Sequence, residues 1–478
     1  MTSQNTDPDA LYSVREPIFP RRVKGRFRAL KWWLLSVMLG IYYVTPWLRW
    51  DRGPHLPDQA VLVDLANRRF YFFMIEIWSH EFYFVAGLLI MAGLGLFLFT
   101  SALGRVWCGY ACPQTVWTDL FLLVERWIEG DRNAQLRLHR QKWNMEKVRK
   151  NLLKWVIWLL IAVATGGAWV FYFTDAPTLF RDLLSFSAHP IAWLTILVLT
   201  STTFMFAGFF REQVCIYACP WPRIQAAMLD EDSLTVAYRH WRGEPRGKLH
   251  RGELHPEQGD CIDCMACVNV CPMGIDIRNG QQLACITCAL CIDACDEVMD
   301  KIGKPRGLIS YLALTDETAE RGGAHPKSVW KHIFRVRTML YTGLWSAVGI
   351  GLVVALFIRS DVDMNVTPVR NPTYVTLSDG TIRNTYDLRL RNKLGDDRHF
   401  SITVTSDADF AVSLEGVEGN VVRVPANETL SQRIYVGAAR GTEAAEEDRT
   451  PLRIWVADID SVSGDRIHHD TIFNGADD

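Results

Sequence analysis

Apolar residues are concentrated in a few long runs of this chain. Five stretches, residues 29–48, 83–103, 153–173, 191–210 and 339–358, approach or exceed the roughly 20 residues needed to cross a hydrocarbon core of about 30 Å. Each predicts a membrane-spanning helix. A buried soluble helix can imitate one such run, but five in one chain do not fit a soluble core. The fourth is interrupted only by Ser and Thr, whose hydroxyls can bond back to the helix backbone. A polar segment of about 28 residues precedes the first run, with no small-residue cleavage site after it, so the first span is expected to stay attached.

Beyond residue 358 the period changes. "YVTLSDGTIRNTYDLRLRNK", "HFSITVTS", "NVVRVPANETLSQRIYVGA" and "LRIWVADI" alternate with period 2 and are separated by Ser-Asp-Gly and Gly-Asn turn signals, the pattern of half-buried strands. About seven short strands fit an Ig-like sandwich. Residues 296–478 contain no cysteine, so packing alone must hold it. Asn427-Glu428-Thr429 matches a glycosylation sequon and reads as a coincidence.

Charge adds orientation. The formal net charge is -2, from 51 basic and 53 acidic residues, so no global field calls for nucleic acid. Locally the balance is uneven. Arg15, Arg21, Arg22, Lys24, Arg26 and Arg28 precede the first span, and nine Lys and Arg from Arg105 to Lys150 lie between the second and third, against only Arg181 between the third and fourth. Excess Lys and Arg mark cytoplasmic loops. The N-terminus and residues 211–338 are therefore expected inside the cell, and everything after Ile358 on the far side. All twelve cysteines fall in segments assigned to the reducing side, which agrees.

Eight of those cysteines carry the chemistry most plainly. Cys261, Cys264, Cys267 and Cys271-Pro272 are spaced C-x2-C-x2-C-x3-C-P, and Cys285, Cys288, Cys291 and Cys295 repeat the spacing. This is the bacterial ferredoxin run for [4Fe-4S] clusters, in which the fourth cysteine of each run serves the other cluster. Cys261, Cys264, Cys267 and Cys295 are assigned to one cubane, and Cys285, Cys288, Cys291 and Cys271 to the other. A pair of zinc sites would show two C-x2-C pairs with a longer spacer. The run departs from the pattern in having Asp296 after Cys295 and only 13 residues between Cys271 and Cys285.

The other four form an internal repeat. "CGYACPQ" (Cys108, Cys112) follows the second span and "CIYACPW" (Cys215, Cys219) the fourth, each preceded by an arginine, Arg105 or Arg211. Two halves with facing motifs are implied. Cysteines at i and i+4 lie about 5–6 Å apart on one helical face, although the proline after each motif pushes the preceding residue out of the α region. Converging soft thiolates favour Cu(I), zinc or iron–sulfur centres. An inert pair and a reversible Cys–Cys couple remain open readings. His80, His139, His189 and His325 show no bis-haem spacing within the spans. Trp32, Trp33, Trp47 and Trp50 fit an aromatic belt, residues 239–255 a basic stretch against the inner leaflet, and Met205 and Met228 packing positions.

The expected fold class is thus a multi-domain membrane protein: an α-helical transmembrane bundle, an inserted bacterial 2[4Fe-4S] ferredoxin-type domain and a C-terminal all-β Ig-like sandwich. Its segments are 1–28 (cytoplasmic), 29–220 (four spans with both C-x-Y-A-C-P motifs), 221–338 (cytoplasmic, ferredoxin at 258–300), 339–358 (fifth helix) and 359–478 (periplasmic). The duplicated motifs, dicluster insert, spans and terminal sandwich together resemble the CcoG/FixG/RdxA family of cytochrome c oxidase accessory proteins over nearly the whole chain. The resemblance implies a cupric reductase of the bacterial inner membrane that supplies Cu(I) for assembly of cbb3-type oxidase. It implies that Cys108, Cys112, Cys215 and Cys219 bind or reduce copper while the ferredoxin cysteines relay electrons. The implied partners are the lipid bilayer, the copper ion, a cytoplasmic electron donor, and oxidase subunits or a copper transporter or chaperone, with room for a homodimer. A quinol dehydrogenase feeding a periplasmic reductase and a non-catalytic assembly scaffold are the alternatives.

Overall fold

The computed structural model describes residues 17–53, 56–248, 258–323, 327–359, 362–461 and 466–476. Arg15, His325 and residues 249–255 of the basic stretch lie outside them. The chain divides into a largely helical unit, up to Arg49 and Gln59–Leu352, and a β unit, Trp50–Asp58 with Val353 onward.

Among the described residues four helices are long and apolar enough to cross a membrane: Ser79–Leu103, Met145–Val170, Pro190–Phe210 and Val336–Ile358. The first expected span, residues 29–48, is not among these four by length and composition. That stretch forms a helix, α1 (Arg26–Val44), closed by a short turn at Thr45–Trp47. Its first two turns carry Arg26, Arg28 and Lys31, so its apolar run falls short of the other four. Arg28 and Lys31 are buried and point at Asp119, with Nη1 and Nζ at 3.1 and 3.0 Å from its Oδ2. The far end of α1 lies along the Met145–Val170 helix. There the Tyr42 hydroxyl donates to the Thr165 carbonyl at 2.7 Å, and the Tyr172 hydroxyl donates to the Tyr42 carbonyl at 2.9 Å.

Asp119 belongs to α3 (Pro113–Glu129), which follows α2 (Tyr83–Leu103). Thr115, Asp119, Leu122, Glu125 and Glu129 are buried on one side of α3 at i+3 and i+4 steps. Its inward carboxylates are matched in place. Lys154 Nζ lies 2.5 Å from Glu129 and 3.5 Å from Glu125, and Arg211 Nη2 lies 2.6 Å from Glu125. Burial opposes the charge on Asp119, but Lys31 and Arg28 outweigh it and hold its carboxyl below the usual carboxylate range. A three-stranded antiparallel sheet, Val61–Asp64, Arg69–Phe72 and Ile75–Ile77, connects α1 to α2. Period reading did not anticipate it, because its strands are only three or four residues long.

The β unit stacks two antiparallel sheets. One has the order Val421–Val424, Arg398–Thr405, Arg449–Asp458, Arg466–Asn474. The other has Ala411–Leu414, Thr429–Ala438, Ile382–Asn392, Val362–Pro368, with Val375–Thr376 also on Ile382–Asn392. A 5-stranded and a 4-stranded sheet replace the expected seven or so strands. Inward residues such as Leu388, Leu390, Phe400, Ile434, Ile454 and Phe473 are fully buried and alternate with outward ones, as a sandwich requires. Asn427 of the sequon is buried, which leaves no room for a glycan.

Removing one partner of a buried charge cluster leaves the others unpaired, at a cost of about 3–5 kcal/mol. Asp119→Asn is therefore expected to destabilise the helical unit by that amount in denaturant unfolding, whereas Asp470→Asn, in an exposed pair with Arg453, shifts stability by under about 0.5 kcal/mol.

Candidate redox site

The ferredoxin insert is framed by Thr235–Tyr238 paired antiparallel with Ile309–Leu312. Between them, two cysteine loops each run into a helix, Ala266–Val270 and Leu290–Lys301. The loops share one backbone device. Asp263 and Met265 in the first, and Thr287 and Ala289 in the second, all adopt left-handed φ of 50–59°, an uncommon state for residues with a side chain. Alternating right- and left-handed residues turn successive N–H groups inward, the concavity found at many anion and iron–sulfur sites.

Each loop closes on a cavity. Cys261, Cys264, Cys267 and Cys295 line one. Cys271, Cys285, Cys288 and Cys291 line the other, with Cys267 at its edge. The fourth cysteine of each run thus sits with the other run, the crossed arrangement expected from the spacing. Among the described residues no three His, Cys, Asp or Glu side chains converge tightly enough for a single ion. Thiols spread around a cavity suit a multi-atom cluster. Burial pushes the Cys267 and Cys285 thiols up to about 11 and Cys271 to about 12, so they ionise at neutral pH only against a positive centre. The residues therefore fit iron–sulfur groups.

The duplicated motifs fold alike. Trp107–Ala111 and Val214–Ala218 are single π-helical turns, closed by the N–H of Cys112 donating to the Trp107 carbonyl and that of Cys219 to the Val214 carbonyl, both at 2.8 Å. Cys112 and Cys219 then leave the helix in extended conformation, as the following Pro113 and Pro220 demand. Such π turns recur at functional sites. The expected α-helical i, i+4 face is corrected accordingly, because the extra residue in the turn rotates the first cysteine relative to the second.

The four thiols neighbour one another in a loose clasp, in which no three converge tightly enough to hold a single ion. Cys108 feels the charge of Cys112 and Cys219, and Cys215 that of all three others. Burial pushes Cys108 up to about 11, opposed in part by Arg105, and Cys215 up to about 12. The Cys108 Sγ donates to Gln225 Oε1 at 3.0 Å, and fully buried Gln225 donates to Thr100 Oγ1 at 3.3 Å. Gln225 had no sequence signal, since it reaches the clasp from the helix after the second motif. The two arginines diverge. Arg105 donates to the Leu283 carbonyl in the ferredoxin insert, while Arg211 turns to Glu125.

Clasp and insert meet at Gly109. A Cβ there would lie 2.7 Å from the Ile286 carbonyl oxygen and 3.0 Å from Cys288 Cα, so only glycine permits the approach. Beside it the Tyr110 hydroxyl donates to the Cys288 carbonyl at 3.1 Å. Cys108, Ile286 and Cys288 share one buried core, against which Cys215, Ile216, Cys271 and Cys291 pack. The clasp and the second cluster cavity are thus adjoining parts of one packed body.

Comparison with known proteins follows the same division. Residues 210–313 match a family model described as a 4Fe-4S dicluster domain, residues 84–133 one described as a 4Fe-4S binding domain, and residues 352–476 the Ig-like fold at the C-terminal of FixG. Protein RdxB of Cereibacter sphaeroides is 74% identical over 476 residues, 99% of each chain. The chain belongs to the FixG/RdxA family. Protein RdxA of the same organism is 66% identical, over 95% of this chain and 96% of that one. Nitrogen fixation protein FixG of Rhizobium meliloti is 53% identical, over 93% and 87%. As a FixG/RdxA-type protein the chain is an iron–sulfur electron-transfer protein with ferredoxin and β domains and apolar helices that fit a membrane.

Overpacking a tight contact costs about 1–3 kcal/mol. Gly109→Ala is expected to lower the temperature at which visible iron–sulfur absorbance is lost, whereas Gly40→Ala, in α1 with nothing within 4 Å, leaves it unchanged or raises it.

Proposed function

We propose that this protein is a membrane-bound cupric reductase: a cytoplasmic donor reduces it, Cu(II) at the thiol clasp takes up one electron, and Cu(I) is handed on for assembly of cbb3-type oxidase. The observation that carries the reading is the contact of Gly109 with Ile286 and Cys288, which sets the clasp against the cavity of Cys271, Cys285, Cys288 and Cys291. The two cubanes, held by Cys261, Cys264, Cys267 and Cys295 and by Cys285, Cys288, Cys291 and Cys271, supply one-electron reducing equivalents, with potentials reaching well below zero.

The clasp supplies the rest. Cys108 and Cys112, and Cys215 and Cys219, offer soft thiolate pairs that favour Cu(I) over Cu(II) at low coordination number. Because burial holds Cys108 and Cys215 protonated, metal capture releases protons, and the apparent affinity falls as pH drops. Gln225 Oε1 accepts from the Cys108 thiol, which favours the protonated form that metal capture must displace. Cu(I) then passes to a transporter or chaperone by exchange between sulfur ligands.

Topology supports the same reading. The Met145–Val170 and Pro190–Phe210 helices separate the two motifs by two crossings, so both motifs and the insert share one side. The Lys and Arg bias of the flanking loops assigns that side to the cytoplasm, and Val336–Ile358 carries the sandwich to the periplasm, where it can dock oxidase subunits. A quinol donor is the second reading. A cavity of about 660 Å³, lined largely by apolar side chains with Tyr42, Gln114, Trp117 and Phe206 among them, lies beside Pro113 at the clasp.

The test is Cu(II) reduction by the anaerobically reduced full-length protein. Replacing Cys108, Cys112, Cys215 and Cys219 by Ser is expected to lower the rate by more than about 100-fold, since even second-shell changes cost about 10–100-fold in metal affinity or activity, with the iron content unchanged at about eight per chain. An unaffected rate refutes the clasp as the copper site. A wild-type content of about twelve iron that drops on substitution assigns the clasp to a third cluster instead.

A further inference from the structure

A second polar site lies where the chain enters α1. The chain enters α1 through residues 17–25, clasped on both sides. The Arg21 N–H donates to the Asn269 carbonyl of the insert at 2.7 Å, and the Arg22 N–H to Asp131 Oδ1 at 2.9 Å. Asp293, between Cys291 and Cys295 on the helix Leu290–Lys301, accepts from the Arg28 N–H at 2.8 Å and the Phe27 N–H at 3.3 Å, which caps α1. Between this segment and α3 lies a pocket of about 570 Å³, lined among others by Arg22, Lys24, Arg28, Trp32, Arg126 and Trp127.

Four cations and no carboxylate line it. Arg28 is 7% exposed; Asp119 satisfies its Nη1, but its Nη2 is buried without a hydrogen-bond partner. Arg126 donates from Nη2 to the Pro20 carbonyl at 3.1 Å, and its Nε is likewise buried and unpartnered. Burial and the neighbouring Arg28 charge both work against the cation of Arg126, against the pull of Asp119, Asp131 and Glu125. Leaving buried charged donors unmade is costly, and a doubly bonding oxyanion is what guanidinium forks match. At the rim Trp127 is 78% exposed, and the Arg28 guanidinium lies 4.4 Å from the centre of the Trp32 ring. Indoles favour the headgroup level of a bilayer, and basic pockets between helices on the cytoplasmic side take anionic lipid headgroups.

We infer that this pocket binds the phosphate of an anionic phospholipid of the cytoplasmic leaflet, with Arg28 and Arg126 on the phosphate, Arg22 and Lys24 at its mouth and Trp127 along the acyl region. The inference rests on the membrane orientation proposed above and not on copper chemistry. Because Asp293 holds both the first turn of α1 and the helix that carries Cys291 and Cys295, a lipid seated here also fixes the insert against the membrane surface.

The test uses the full-length protein, delipidated in detergent and exposed to vesicles of phosphatidylcholine with about one-fifth phosphatidylglycerol, with bound lipid read by native mass spectrometry. Wild type is expected to retain phosphatidylglycerol over phosphatidylcholine. The exposed pair R22Q/K24Q should weaken that retention roughly 30-fold, the effect of two cations at a headgroup, with iron–sulfur absorbance unchanged, while K142Q/R149Q, exposed positions outside the pocket, leaves it intact. Equal retention of both lipids, equal loss in the two double variants, or displacement of the lipid by an equal concentration of inorganic phosphate overturns the inference. Copper reduction is not read in this experiment, so its outcome is separate from the fate of the proposed reductase.

Discussion

The contact on which the functional architecture depends is a backbone approach. Gly109 presses its Cα against the Ile286 carbonyl and the Cys288 backbone, at distances that leave no room for a Cβ. That approach makes a membrane-end turn and a ferredoxin loop parts of one core. Around it, each other feature has a positioning role. The π turn aims Cys108 inward while Pro113 sends Cys112 out of the helix, Arg105 ties the end of α2 to Leu283, and Tyr110 fixes the Cys288 carbonyl. Electron transfer between protein-held centres falls steeply with distance, so a redox function for the clasp needs such a contact.

Buried charge is the second organising element. Asp119 gathers Arg28 and Lys31 from α1, and Glu125 and Glu129 gather Lys154 and Arg211. The Asp119 cluster sits where α1 and α3 meet the insert, through Arg28 and Asp293, and a buried ion pair contributes little net stability over an apolar pair while punishing any misplacement. The value of these clusters in this fold is register. The first helix can begin with cations because a carboxylate on α3 receives them, and that same pairing leaves one face of Arg28 turned to the basic pocket.

Much of this was legible in the residues. The cysteine spacing named the iron–sulfur chemistry and the crossed grouping of the eight thiols around two cavities, because three thiols at every third position and a distant fourth have few other uses. The apolar runs named the four long helices, and period 2 named the sandwich, although its short strand Ala411–Leu414 carried too little pattern to be seen. What stayed hidden depended on partners remote in sequence. Nothing about Gly109 distinguishes it from Ile216 at the same place of the second motif until Ile286 and Cys288 are opposite it. A π turn and an α turn share the same Cys-x-x-x-Cys spacing, and Gln225 gave no sign of its bond to Cys108. Lys31 lies inside the first apolar run, and its burial against Asp119 could not be foreseen without α3 opposite it.

The central claim is that copper at the clasp and the cluster held by Cys271, Cys285, Cys288 and Cys291 are close neighbours. Electron paramagnetic resonance on the full-length protein, with Cu(II) bound to oxidised samples and the signal followed as the clusters are reduced stepwise, tests it directly. The account predicts that the first reducing equivalents abolish the Cu(II) signal and that any Cu(II) trapped beside a reduced cluster is broadened by magnetic coupling. A Cu(II) spectrum that persists, sharp and unrelaxed, next to fully reduced clusters would contradict it.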